Sequence, residues 1–342
     1  MAIYIPVLKT KATSFRAVRA LKDKTKNSII PLLEIVPDTE IDITKNLILH
    51  WQIGTPIYLD FIFLDGAESI AETIQSVIYD CIDNGFNVIP VWGPERTTEY
   101  LDGIKSLDNS KVKKIAYRFP ESIFSPKNVH SIIDKAFAEL NGRFQESHVF
   151  LDLEDMSTGQ SKYYAAIELL RSLFSPSHSI FGCIAGAFPD AGQLLEYKNS
   201  TADIPRYDFE LWKQLMESGD SFASNLSYGD YTIRDIELPF SGFTTSIIPT
   251  LRYTKEASFY VNRGVSHKKH DRGMHQFNDA CHELMQEPFF RGAAFSDGDR
   301  LISEKGTELD SSPGNQATWA QIGVNQHIEF VVQQISQISA SK

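Results

Sequence analysis

The chain has 342 residues, 42% of them hydrophobic and 23% charged, which is the balance of a folded globular protein rather than a disordered one. Its net charge of −11 opposes general binding to DNA or to an anionic membrane, because the phosphate field repels it. No apolar run approaches the roughly 18 residues that would cross a bilayer.

Strand-like and helix-like patterns alternate along the sequence. IYIPVLK (3–9) reads as a first strand and SFRAVRALKDK as the helix behind it. SIIPLLEIV (28–36) is a second strand, followed by the weaker helix ITKNLILHW. PIYLDFIF (56–63) is a third, and its long helix AESIAETIQSVIYDCIDNG stops on Gly85. NVIPVWG (87–93), KKIAYRF (113–119) and HVFLDLED (148–155) continue the series, each with a helix after it. HSIFGCIAGAF (178–188) is a seventh strand, followed by a long connection carrying the helix DFELWKQLMES. NLSYGDYT (225–232) is an eighth.

Eight such units predict an α/β fold, a (β/α)₈ TIM-barrel-like domain over residues 1–235. The strands are apolar nearly throughout, as parallel strands covered on both faces should be. A doubly wound open sheet is the alternative, but it calls for a glycine-rich phosphate turn after an early strand, where this chain has LKTKATS. Residues 236–342 exceed the eight-fold count and are expected to form a C-terminal α+β lobe packed on the barrel, not an independent domain. Within it SIIPTLRYTK and SFYVNRG read as a strand pair, QFNDACHELMQ as a helix and Ser-Asp-Gly-Asp (296–299) as a turn. WAQIGVNQHIEFVVQQI reads as an amphipathic helix, apolar at Ile328, Val331, Val332 and Ile335.

Barrel chemistry collects where strands end. Those ends offer Lys9, Glu34, Asp60, Trp92, Arg118, Asp152 and Asp230. Alternation sets Glu34 with Leu32, Asp60 with Tyr58, Asp152 with Phe150 and Asp230 with Tyr228, each on the side taken as the barrel interior. Buried charges cost several kcal/mol unless paired or ligated. Glu34, Asp60 and Asp152 are therefore candidate ligands for a hard divalent cation such as magnesium, with Asp152, Glu34 and Asp230 as candidate catalytic carboxylates. Lys9 and Arg118 are candidates to hold an anion, Arg118 through its fork. A salt-bridge network closing the barrel end accounts for the same residues without chemistry. Asp155, on the other parity, is the candidate helix cap. From the tail, Arg300, Trp319 and His327 are candidate ligand-binding residues, if that segment roofs the barrel; packing of Trp319 is the plainer account.

Cys81, Cys183 and Cys281 lack zinc spacing and cannot all pair, so buried free thiols and a reduced, cytoplasmic setting are expected. The basic stretch VSHKKHDRGMH (265–275) reads as a solvated loop, and its histidines do not form HExxH. GxSxG, GxGxxG and phosphate-loop motifs are missing from the sequence.

The opening Y-x-P-x-L-K-x-K with P-L-x-E after it, and the closing TWAQIGVNQHIEFVVQQI, resemble the phage-type beta protein family over essentially the whole chain. That resemblance implies a bacterial or phage cytoplasmic setting and a role in phage–host conflict; it brings no catalytic residues. Two functions stay open: an enzyme, such as a metal-dependent phosphoester hydrolase, handling a phosphorylated, nucleotide-like or nucleic-acid ligand at the barrel face, or a non-catalytic sensor, inhibitor or complex subunit with a protein partner in a defence or phage complex.

Overall fold

A computed structural model describes residues 3–37, 42–233 and 246–340. Eight parallel strands close into a barrel: β1 (Tyr4–Lys9), β2 (Leu32–Glu34), β3 (Pro56–Asp60), β4 (Asn87–Trp92), β5 (Lys114–Pro120), β6 (Glu146–Asp155), β7 (Ile180–Gly186) and β9 (Leu226–Asp230), with β9 pairing back onto β1. The outer helices are α1 (Ala12–Arg19), α2 (Asp23–Lys26), α3 (Ile43–His50), α4 (Ile70–Asp83), α5 (Thr98–Lys105), α6 (Val129–Glu139), α7 (Tyr163–Leu173) and α8 (Tyr207–Met216). The fold is therefore a (β/α)₈ barrel, as the alternation predicts.

Two apolar layers hold it. Odd positions of β1 (Ile5, Val7) join Leu32, Tyr58, Phe150 and Ile184 inside the barrel, while even ones (Tyr4, Leu8) face the helices. The interior is filled with side chains, as barrels of this size require. Close packing fixes Gly229, where an added Cβ would lie 2.7 Å from Ile184 Cγ1.

The lobe differs from a simple appendage. β8 (Ser200–Pro205), hidden in the long connection after β7, pairs antiparallel with β11 (Ser258–Arg263), which pairs with β10 (Thr250–Thr254). Residues before and after 235 thus share one sheet. Two further helices follow, α9 (Gln276–Met285) and α10 (Asp297–Thr307). Ser-Asp-Gly-Asp is the start of α10 rather than a turn: the Ser296 hydroxyl accepts from Asp299 N at 2.9 Å.

The last helix, α11 (Gln316–Ala340), packs on α1 and β1 as well as on α10 and β10. It takes the place of the eighth barrel helix. An amphipathic reading is too simple, because Asn325, Gln326, His327 and Glu329 are buried beside Ile328 and Val331. Each polar group ties down a different element. Asn325 Nδ2 donates to Ala17 O (3.0 Å), Gln326 exchanges hydrogen bonds with the Thr254 backbone (2.9 and 3.1 Å), and Glu329 accepts from Lys22 N and Thr25 Oγ1 (both 2.6 Å). Among the described residues no helix is long and apolar enough to cross a membrane.

Candidate functional site at the barrel mouth

Strand register brings the first acidic residues together. Lys9, Glu34 and Asp60 are direct neighbours across β1, β2 and β3. Their interior parity then aims them at Arg118 of β5. Arg118 Nη1 donates to Glu34 Oε1 (3.0 Å) and to Asp60 Oδ2 (2.7 Å), and Nε donates to Asp152 Oδ2 (2.8 Å). Nη2 donates to the Tyr231 hydroxyl, which itself donates to Asp152 Oδ2 at 2.6 Å. Every nitrogen of the guanidinium is engaged. Side-chain exposure is at most 2% for the three carboxylates and 4% for Arg118.

A second cation extends the network. Arg96, from the loop after β4, reaches Asp60 at 3.2 Å and pairs with its neighbour Glu95. Gly93 makes this approach feasible: a Cβ there would sit 2.5 Å from Arg118 O and closer still to the Glu95 carboxylate. Lys9 stands 3.8 Å from Glu34 and over the Phe63 ring. Three cations (Lys9, Arg96, Arg118) face four carboxylates (Glu34, Asp60, Glu95, Asp152), so the cluster carries one net negative charge when all are ionised.

The electrostatics follow from burial. Desolvation works against the Arg118 charge, but Tyr231, Asp152, Glu34 and Asp60 outweigh it and hold the proton firmly. Desolvation raises the Glu34 carboxyl, with Arg118 and Lys9 pulling the other way. Glu34 Oε2 is buried with no hydrogen-bond partner among the described residues. Strain lies beside the same groups. Glu154 (φ 56°), two residues past Asp152, and Thr232 (φ 59°), directly after Tyr231, are left-handed non-glycine residues. A β-branched residue in that region costs about 1–3 kcal/mol. Asp230 Oδ1 helps hold Thr232, accepting from its backbone N–H at 3.0 Å.

Asp230 itself does not join the mouth. On β9 the interior parity belongs to Gly229 and Tyr231, so Asp230 and Tyr228 point outward, toward the helices. There Asp230 accepts from Tyr4 Oη (2.7 Å) and lies 2.9 Å from His327 Nε2. The other ring nitrogen, Nδ1, is 2.8 Å from Thr254 Oγ1 on β10. Next to this chain, Asp208 accepts from Tyr228 Oη at 2.9 Å, and burial pushes its carboxyl up to about 6. The Asp230 carboxyl, though equally buried, is lowered by the charge and hydrogen bond of His327 and by Tyr4. All of these groups are sealed from solvent. His327 thus reaches a predicted site residue, but as a joint between α11, β9 and the lobe sheet.

The remaining candidates disperse. Arg300 is half exposed and pairs with Asp297 (2.6 Å) and Glu304 (2.5 Å) on its own helix, far from any role in a roof. Trp319 stacks on Phe277 (centroids 4.8 Å apart) and donates to Pro313 O at 2.8 Å, which is packing within the lobe. Asp155 caps no helix: its Oδ1 accepts from Ser157 N, and α7 starts several residues later without a side-chain cap. Cys81, Cys183 and Cys281 are free and buried. In the basic stretch, Arg272 is held by Asp279 and Asp310. Sequence reasoning missed Tyr231 and Arg96. Tyr231 follows Asp230 on the opposite parity, and Arg96 sits in the Gly-Pro-Glu-Arg loop at a strand end, so both carried a positional signal.

A divalent cation does not fit this geometry. The oxygens of Glu34, Asp60 and Asp152 that would surround it converge on the Arg118 guanidinium, which fills the centre. Among the described residues no group of three or more His, Cys, Asp or Glu side chains is placed to hold a metal. Nor is Arg118 open to a phosphate, since its donors are spent on the carboxylates and Tyr231.

No curated protein matches the chain. Among solved structures it is similar to the YdjI aldolase from Escherichia coli, at 10% identity and a TM-score of 0.34, over 99% of this chain and 92% of that one. The model of the family described as Beta protein matches residues 4–333, nearly the full length, and the chain belongs to that family.

Proposed function

We propose that this protein is a non-catalytic binding subunit, a sensor, inhibitor or complex component of phage–host conflict, with the barrel as its scaffold. One observation carries the reading: the residues best placed for chemistry are closed into ion pairs around Arg118, with side chains at most 4% exposed. Chemistry needs a group that a substrate can reach. The mouth network instead resembles a plug that sets strand positions, and its surplus of negative charge disfavours a phosphorylated ligand. The phage setting rests on the family resemblance.

A second reading rests on Glu34. Its buried oxygen, with no hydrogen-bond partner among the described residues, and its raised carboxyl beside Lys9 are features of functional carboxylates. In that reading the barrel face receives an anionic ligand through Lys9. The two readings part in one experiment. Purified protein with magnesium or manganese is offered bis(p-nitrophenyl) phosphate, and a tagged form is used to capture partners from phage-infected cells, with binding remeasured on the purified partner. No turnover above background together with a direct partner complex is the expected result. Hydrolysis that Glu34→Gln or Lys9→Ala abolishes while the fold persists overturns it in favour of the second reading.

A further inference from the structure

Beside the mouth, the start of α5 and the face of α6 leave a cleft of about 360 Å³, lined by Trp92, Arg96, Leu101, Ile123, Ile132 and Lys135 among others. That lies within the roughly 300–1,000 Å³ of small-molecule sites. It is distinct from the Arg118 plug, meeting it only through Glu95 and Arg96, so its occupancy stands apart from whether the barrel is catalytic.

Its hydrogen-bonding groups are unbalanced. Trp92 is 3% exposed and the Arg96 side chain 3%, yet Trp92 Nε1 and Arg96 Nε have no hydrogen-bond partner among the described residues. A buried donor left unpaired costs about 1–3 kcal/mol. The cleft's own acids are mostly committed: Glu95 to Arg96, and Glu139 to Lys105 at 2.6 Å. Asp102 stands exposed at the rim, opposite in charge to the exposed Lys135. Leu101, Ile123 and Ile132 add apolar wall. Spare donors on two lining residues, apolar side chains and an exposed ammonium are complementary to a molecule with acceptor oxygens and an apolar body.

We infer that this cleft binds a small organic acid with an aromatic or aliphatic body, its acidic group met by Lys135 and the Arg96–Trp92 wall. The probe is 1-anilinonaphthalene-8-sulfonate, an aromatic acid whose fluorescence rises in an apolar site. The full-length protein should show one saturable site. Thr98→Trp, an exposed lining position that fills the cleft, should weaken it at least about tenfold, and Lys135→Glu about fivefold; both are surface changes, so circular dichroism should confirm the fold. Absence of saturable binding to the wild-type protein, or equal affinity in wild type and both variants, overturns the assignment.

Discussion

Two buried charge clusters lie one residue apart in this chain and are built on different principles. Tyr231 faces inward to the Arg118 cluster, and Asp230 faces outward to His327 and Tyr4. The inner cluster is organised by a guanidinium that stays charged at every accessible pH. The outer one relies on a histidine, two phenols and two carboxylates, Asp208 and Asp230, whose pKa values burial and neighbours push apart. Strand parity decided which acid joined which cluster. The inner network should therefore be costly to break because its cation is fixed, and the outer one cheaper to break and governed by groups that titrate.

The largest effect is expected inside. Arg118→Met leaves three buried carboxylates facing one another, and loss of one partner from a buried ion pair costs about 3–5 kcal/mol. Urea denaturation should show that loss at pH 7; a loss under about 1 kcal/mol would mean that the mouth is wet and open.

Asp208→Asn should act in the opposite direction. Its folded pKa of about 6 exceeds its ordinary value of 3.8, so the folded state holds the proton more tightly and stability falls as pH rises between those values. The Asn variant should match wild type near pH 3.5 and exceed it above pH 6. Parallel stability curves for the two proteins over that range would remove Asp208 from the account.

His327→Phe withdraws the partner of Asp230 and Thr254 but leaves Tyr4 and Thr232 donating, so about 1–3 kcal/mol is expected in the same assay. Thr232→Gly should raise stability by about 1 kcal/mol, because glycine adopts φ near 59° without strain and a buried hydroxyl with no hydrogen-bond partner among the described residues is removed. At the low end, Arg300→Ala on the lobe surface should shift the midpoint within the equivalent of about 0.5 kcal/mol, since exposed ion pairs contribute little. A larger change would tie Arg300 to something beyond its own helix.

Much of the barrel was legible in the sequence because a parallel strand needs an apolar run and each is followed by a helix. Glu34, Asp60 and Asp152 were legible as one group because their parity follows Leu32, Tyr58 and Phe150 into the interior. Asp230 was misassigned because its strand reads L-S-Y-G-D-Y, and the large residues were taken as inward. The barrel packs the other way there: small Gly229 fits against Ile184, and bulky Tyr228 goes to the helix layer. Small residues at alternate positions were the overlooked signal. The β8 strand was hidden because STADIP is mostly exposed and ends on proline, with little apolar pattern to betray it. Helix α11 misled in the other direction. Its polar residues resembled a solvent face, yet they are the buried ties between barrel and lobe.

The central claim is that Arg118 and its carboxylates form one cooperative plug. A double-mutant cycle of Arg118→Met and Asp152→Asn, measured by urea denaturation at pH 7, tests it most directly. The account predicts a coupling of about 1.5 kcal/mol or more, well inside the range for contacting residues. Additivity within about 0.5 kcal/mol would contradict it.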